Sequence, residues 1–430
     1  MKNLRDGQIL RIAVPSIVSN ITVPLLGMID VAIVGHMSSP AYIGAVAVGS
    51  MIFNLVYWLF GFLRMGASGM TAQAVGKRDL TETIRILARS MAIALGIAML
   101  LIILQIPLKW LGFRLIGPTA DVSPFAATYF YTVIWGAPAS LALFSLMGWF
   151  IGMQNTRFPM IISIIQNIVN ILASLILVYV LGMKIEGVAL GTVIAQYAGL
   201  LMAIALFLKY YGRLLPYFRK EGLLRDFRKF FVVNRDIFLR TLCLVAVTLY
   251  FTSAGARSGA AILAINTVLM QFYLFFSYFM DGFAYAGEAL GGKTYGASNR
   301  GAFREILQRL FLWATGVTLV FTLTYVFAGQ WIVKVLTDEP QVLDAAKHFL
   351  PWAWLIPIAG VAAFIWDGIF VGITATRGML ISSFVAALFF FVIFLLSKDT
   401  LGNHGLWLAF ITYLAMRGIT QTIIFFSSTH

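Results

Sequence analysis

The sequence predicts an all-α integral membrane protein of about twelve transmembrane helices in two six-helix bundles related by a pseudo-twofold axis along the membrane normal. Three observations predict it: a composition too apolar for a soluble domain, about twelve apolar runs of helix length, and a second half that repeats the first. Of 430 residues, 60% are hydrophobic and 11% charged, where soluble domains carry roughly a quarter charged. A helix needs about 20 apolar residues to cross the hydrocarbon. Gly, Pro and charge punctuation sets such runs near 9–34, 42–75, 83–112, 124–153, 157–182 and 186–211, and again near 233–255, 258–291, 300–328, 340–373, 377–397 and 404–427. The domain reading is an N-lobe over 1–211, a basic linker over 212–232 and a C-lobe over 233–430. The first run contains Pro15, Pro24 and Asp30 and lacks a small-residue cleavage site, so it reads as a retained span and not a signal peptide.

The formal charge of +14 is a topology signal. Of the 31 Lys and Arg, 22 fall in loops on the N-terminal side, 7 on the other, and two, Arg64 and Arg417, inside spans. The richer side is cytoplasmic by the positive-inside rule, which puts both termini there. This accounts for the basic balance without nucleic acid and favours anionic lipid headgroups at the linker from Lys209 to Arg240. The single cysteine, Cys243, excludes an intrachain disulfide. No His-rich metal spacing and no hydrolase signature is present, so the chain reads as neither an enzyme nor a cofactor-dependent protein.

Laid on itself at an offset of 216–220, the chain matches Gly66 with Gly282, Gly76-Lys77 with Gly292-Lys293, Gly152 with Gly372, and Thr156-Arg157 with Thr376-Arg377. Each copy holds six spans, an even number, so the two enter the membrane in the same orientation. Two facing bundles form a cleft that can open to either side. Small-xxx-small pairs such as Gly148/Gly152 and Gly368/Gly372 let helices approach closely. Gly287 to Thr294 (GEALGGKT) fits the phosphate-loop pattern, but a phosphate loop joins a strand to a helix, and here the motif closes a span.

Ionisable residues within spans are costly and are therefore functional candidates. They are Asp30, Arg64, Asp281, Glu288, Asp367 and Arg417. Asp30 lies in the outer half of span 1, where burial favours the neutral acid and protonation can change its cost of burial. Pro24, six residues earlier, removes a backbone hydrogen bond and makes a hinge. Asn167 and Asn170 on span 5, with Thr192 and Gln196 on span 6, are expected to form a polar pocket around Asp30, or else simple interhelical hydrogen bonds. Asp281, Glu288 and Asp367 are second-lobe candidates for a proton or cation site, with Glu288 near enough to the interface to be solvated. The repeat sets Met65 opposite Asp281 and Met147 opposite Asp367. Arg64 is an intramembrane charge partner, with Asp30 as one candidate for its pairing. Methionines and aromatic residues, among them Tyr57, Met65, Tyr273 and Tyr278, suit flat apolar cations.

The segments DVAIVG (30–35), FLRMGASGMTAQAVG (62–76), DGFAYAGEAL (281–290) and WDGIFVGITATR (366–377) resemble the multidrug and toxic compound extrusion family, in its DNA-damage-inducible F branch, over nearly the whole length. The resemblance implies a two-lobed bacterial inner-membrane antiporter exporting organic cations and other drugs against protons or sodium, with Asp30 as the coupling carboxylate. Two departures matter. Archaeal relatives carry a second carboxylate on span 5, where this chain has amides, and sodium-coupled relatives carry a glutamate on span 7, where this chain has none. Protons are therefore the expected coupling ion, with sodium at Asp30 or Asp367 as the alternative, no other metal, and a monomer as the expected state. A lipid or lipid-linked oligosaccharide flippase of the same superfamily is the competing reading, but such a protein needs a basic cleft, and the spans read as four acids against two arginines. A transport-free sensor or scaffold is the third.

Overall fold

The computed structural model describes residues 2–36, 39–219 and 227–428, with the side chains at 2–4, 23, 25–31, 34 and 428 outside the description. Every regular element among the described residues is helical. In chain order they are α1 (Lys2–Gly35), α2 (Pro40–Leu59), α3 (Phe62–Gly76), α4 (Leu80–Ile103), α5 (Gln105–Ile116), α6 (Ser123–Val133), α7 (Ala137–Gly152), α8 (Arg157–Leu175), α9 (Ile185–Tyr211), α10 (Phe227–Arg257), α11 (Ala260–Ala286), α12 (Gly292–Gly296), α13 (Arg300–Leu336), α14 (Pro340–Gly372), α15 (Thr376–Leu401) and α16 (Asn403–Ser428). Short π-helical turns cover Ile176–Val180 and Gly287–Gly291. Eleven candidate membrane spans arise from the described residues after α1, several of them two consecutive helices in one line. With α1, itself 34 residues long, the count is the twelve that the apolar runs predict. Large apolar side chains face outward along these helices, among them Phe327, Leu396 and Val180, as a lipid-facing surface requires.

The chain divides into two compact units, Val18–Phe230 and Met1–Ile17 with Phe231–His430. The start of α1 is fastened within the second unit. Arg5 pairs with Glu305 at 3.2 Å, Trp313 Nε1 donates to Asp6 at 3.1 Å, and Arg309 lies 3.5 Å from Asp6. Within the first unit α3 and α4 pack on α7, and α8 on α9; within the second, α11, α13 and α16 pack on α14, and α15 on α16.

The two units repeat one geometry, and the repeat has a single register of 220 residues across α3 to α8 and α11 to α15. A Cβ on Gly148 would stand 2.1 Å from the Arg64 carbonyl oxygen, and one on Gly368 would stand 2.2 Å from that of Ala284. Gly152 meets Ser68 O and Gly372 meets Glu288 O in the same way. Left-handed backbone recurs at Arg78 and Ser298 and at Gln154 and Thr374. The next helices are capped alike, Asp79 accepting from Glu82 N and Asn299 from Ala302 N. These pairs correct the sequence register at the third and eleventh helices. Matching the Gly-Lys pairs at 76–77 and 292–293 slips the alignment by four residues, one helical turn, which preserves the face and so conceals the error. In the correct register Asp281 stands opposite Gly61 and not Met65, Gly282 opposite Phe62 and not Gly66, and Gly76 opposite Gly296. Met147 opposite Asp367 holds.

The phosphate-loop lookalike is continuous helix. Gly287–Gly291 is the π turn, α12 follows without a break, and Thr294 Oγ1 donates to Leu290 O at 2.8 Å. The backbone N–H groups are used by the helix itself, so no phosphate cradle exists there. Glu288 within this turn is 2% exposed, which corrects the expectation that it is a solvated interfacial residue.

Candidate functional site

Two polar constellations sit inside the apolar helices, one in each unit. In the unit Val18–Phe230, α8 presents its polar face to α1 and α9. Ser19 and Ser163 hydroxyls are 2.9 Å apart, and Asn167 Nδ2 donates to Thr22 O at 2.9 Å. Two turns beyond Ser163, the fully buried Asn170 donates to Thr192 Oγ1 at 3.3 Å and accepts from Ser174 Oγ at 3.4 Å. Asn167 thus holds α1 just before Pro24, while Asn170 and Thr192 tie α8 to α9. The side chain of Asp30 lies outside the described residues, and with it the Arg64–Asp30 pairing.

Gln196 does not join Asn170 and Thr192. Its Oε1 packs against Gly136, where a Cβ would come within 1.6 Å. It is buried beside the Tyr57 hydroxyl, which also has Ser140 as a neighbour. Tyr57 itself lies tilted against Phe53 and meets Phe144 edge-on, so it contributes a ring and a hydroxyl to the interior of α2, α7 and α9.

In the other unit the centre is Asp367 on α14, 6% exposed. Arg240 from α10 and Arg417 from α16 both donate through Nη2 to its Oδ2, and Gln421 Nε2 donates to its Oδ1 at 2.6 Å. The arrangement is dictated by helix periodicity, since Arg417 and Gln421, four apart, project from one face. Arg417 is 1% exposed and its Cζ lies 5.6 Å from the Tyr413 ring centroid. Tyr273 is a shared electrostatic neighbour of Arg417, Arg240, Tyr413 and Asp281, so Asp281 stands in this neighbourhood. Glu288 lies further along the same helical run, in the π turn Gly287–Gly291.

Sequence reasoning placed Arg240 in the cytoplasmic linker group; it is 8% exposed and inside the unit. Arg89, also counted in a loop, is 5% exposed and paired with Glu82. Both arginines come with acids, Asp236 at 1% exposure on the helix of Arg240 and Glu82 beside Arg89, so the buried charges are more numerous than four acids and two arginines. Gln421 was not singled out either. The signals that mark both were present, as Asp236/Arg240 and Arg417/Gln421 are each four apart in apolar runs. Among the described residues no group of three or more His, Cys, Asp or Glu side chains could hold a metal ion.

Twelve apolar helices in two repeated units, with polar groups concentrated inside them, define a polytopic membrane transporter. The MatE family model matches residues 15–176 and 237–396, and the chain belongs to that family. It is 38% identical over 426 residues to DNA damage-inducible protein F of Escherichia coli (strain K12), covering 97% of this chain and 92% of the relative. It is 24% identical to the probable multidrug resistance protein NorM of Acinetobacter baylyi, covering 98% and 96% of the two chains. Its fold superposes on a MATE crystal structure in the bent conformation with a TM-score of 0.86 at 18% identity, over 97% of this chain and 94% of that one.

Proposed function

We propose that the chain is a secondary active multidrug exporter that exchanges lipophilic or cationic organic compounds for protons by alternating access, with Asp30 as the coupling carboxylate. The observation that carries this reading is the polar seam from α8: Asn167 bonds the α1 backbone at Thr22, two residues before Pro24, and Asn170 bonds Thr192 on α9. Hydrogen bonds from amides to a helix backbone beside a proline supply what a protonation-driven bend needs, because they exchange partners at small cost. Protonating Asp30 removes a charge from the membrane interior, and the seam transmits the change to α8 and α9.

The same reading takes residues 1–211 and 233–430 as the two lobes, joined through 212–232 on the cytoplasmic side of a bacterial inner membrane, and the transporter as a monomer. Protons are favoured over sodium because the described side chains of the seam are amides and hydroxyls with no carboxylate among them, which leaves a sodium ion poorly supplied with charge. Asp367 is not a sodium site in this account, since two guanidinium groups already occupy it. The test is efflux of ethidium from proteoliposomes under an imposed proton gradient and then a sodium gradient. Transport under the first alone is the expected result, and transport under sodium alone sinks the proton reading.

A further inference from the structure

Asp367 balances only one of the two arginines it touches. Arg240 and Arg417 reach the same oxygen, Oδ2, so two buried cations share one carboxylate. Neither guanidinium bonds another acid among the described residues. Asp236, one turn before Arg240, is engaged by Arg235 at 2.8 Å and by Thr376 at 3.3 Å. Asp281 shares Tyr273 as a neighbour with both arginines.

Hydrogen bonding is incomplete at the same place. Nε of Arg240, Nε of Arg417 and Oε1 of Gln421 are all buried with no partner among the described residues. Buried polar atoms left unpaired are costly and uncommon, and two donors and one acceptor on one cluster mark a place built for a further group. Two cationic N–H donors call for an anion, and the planar guanidinium fork matches a carboxylate. Around them stands an aromatic wall: Tyr413 over Arg417 at 5.6 Å, Phe410 at 6.1 Å from Tyr413, and Tyr273 at 5.2 Å from Phe410. The Arg240–Asp367 edge is the less sealed one, since those side chains keep 9% and 8% of their surface against 2% for Arg417.

We propose that this cluster is an anion-binding site that takes the carboxylate of an aromatic or amphiphilic substrate. Arg240 and Arg417 donate to the carboxylate, Gln421 Oε1 accepts from a donor on the ligand, and the rings of Tyr273, Phe410 and Tyr413 cover its apolar body. The second unit therefore selects charge of the opposite sign to that expected of a cation exporter, whichever ion drives transport.

The test is thermal unfolding of the purified full-length protein in detergent with sodium benzoate or benzylammonium chloride at matched ionic strength. Benzoate raises the wild-type Tm saturably, and the shift disappears in Arg240→Gln. Asp367→Asn, which leaves both guanidinium groups without their internal carboxylate, has a lower Tm, and benzoate raises it by more than it raises wild type. A shift that persists in Arg240→Gln, or one given by benzylammonium and lost in Asp367→Asn, overturns the proposal. Should Arg240→Gln fail to fold, Asp367→Asn decides alone: a benzoate shift no larger than in wild type overturns it equally.

Discussion

Arg240 and Arg417, on α10 and α16, donate to one and the same atom, Oδ2 of Asp367 on α14. Three helices from distant parts of the sequence are thereby held by one buried carboxylate, with Gln421 on its other oxygen. An ion pair in such a place contributes little net stability when complete, but removing one member strands a charge.

Asp367→Asn should therefore destabilise by about 3–5 kcal/mol in anion-free buffer, more than any other carboxylate-to-amide change in the described helices. Circular-dichroism melting in detergent checks this, with Asp344→Asn as the comparison. Asp344 is exposed and pairs with Lys347, and surface pairs of that kind contribute about 0–1 kcal/mol.

The glycines at the repeated helix crossings make a second prediction. Gly148→Ala and Gly368→Ala each drive a methyl group to within 2.1 and 2.2 Å of a neighbouring carbonyl oxygen, so the helices must separate at a cost of about 1–3 kcal/mol. Gly96→Ala and Gly316→Ala, a pair in the same 220-residue register, meet nothing within 4 Å. They should leave stability unchanged or raise it by up to about 1 kcal/mol, since glycine is the poorer helix former. Yield and monodispersity of the four variants read the contrast.

Ser298 occupies left-handed backbone at φ 55°, matching Arg78 at φ 57°. A side chain there carries a steric cost of about 1–2 kcal/mol. Ser298→Gly should raise Tm by a few degrees without altering transport, and a fall in Tm would show that the turn is held by something other than its backbone geometry.

Asn170→Leu should separate stability from transport. The amide joins α8 to α9 through Thr192, and interhelical hydrogen bonds average about 0.6 kcal/mol in membranes. Melting should shift little while ethidium efflux falls at least tenfold. Unimpaired efflux would reduce the seam to packing.

The twelve helices, their two sets and their punctuation were legible because apolar length and Gly, Pro and Thr-Arg breaks are local signals. The repeat register at α3 and α11 was not legible because the Gly-Lys pairs 76–77 and 292–293 lie one turn out of true alignment, and a one-turn slip keeps the same face. Arg240 was hidden for a related reason. An arginine close to the start of a span counts toward the positive-inside excess until its neighbour on another helix is seen. Asp367 and Arg417 were legible as charges in apolar runs, but their sharing of one oxygen depends on how three helices pack. The buried hydroxyl of Tyr57 beside Gln196 was likewise beyond local reading, because α2, α7 and α9 must first be assembled to enclose it.

The most direct measurement is proton-driven efflux of ethidium from proteoliposomes containing wild type or Asp30→Asn. Coupling through Asp30 requires that this single change abolish transport while Tm is preserved. Normal pumping by Asp30→Asn would contradict it and move coupling to the acids of the second unit, Asp281 and Glu288 first.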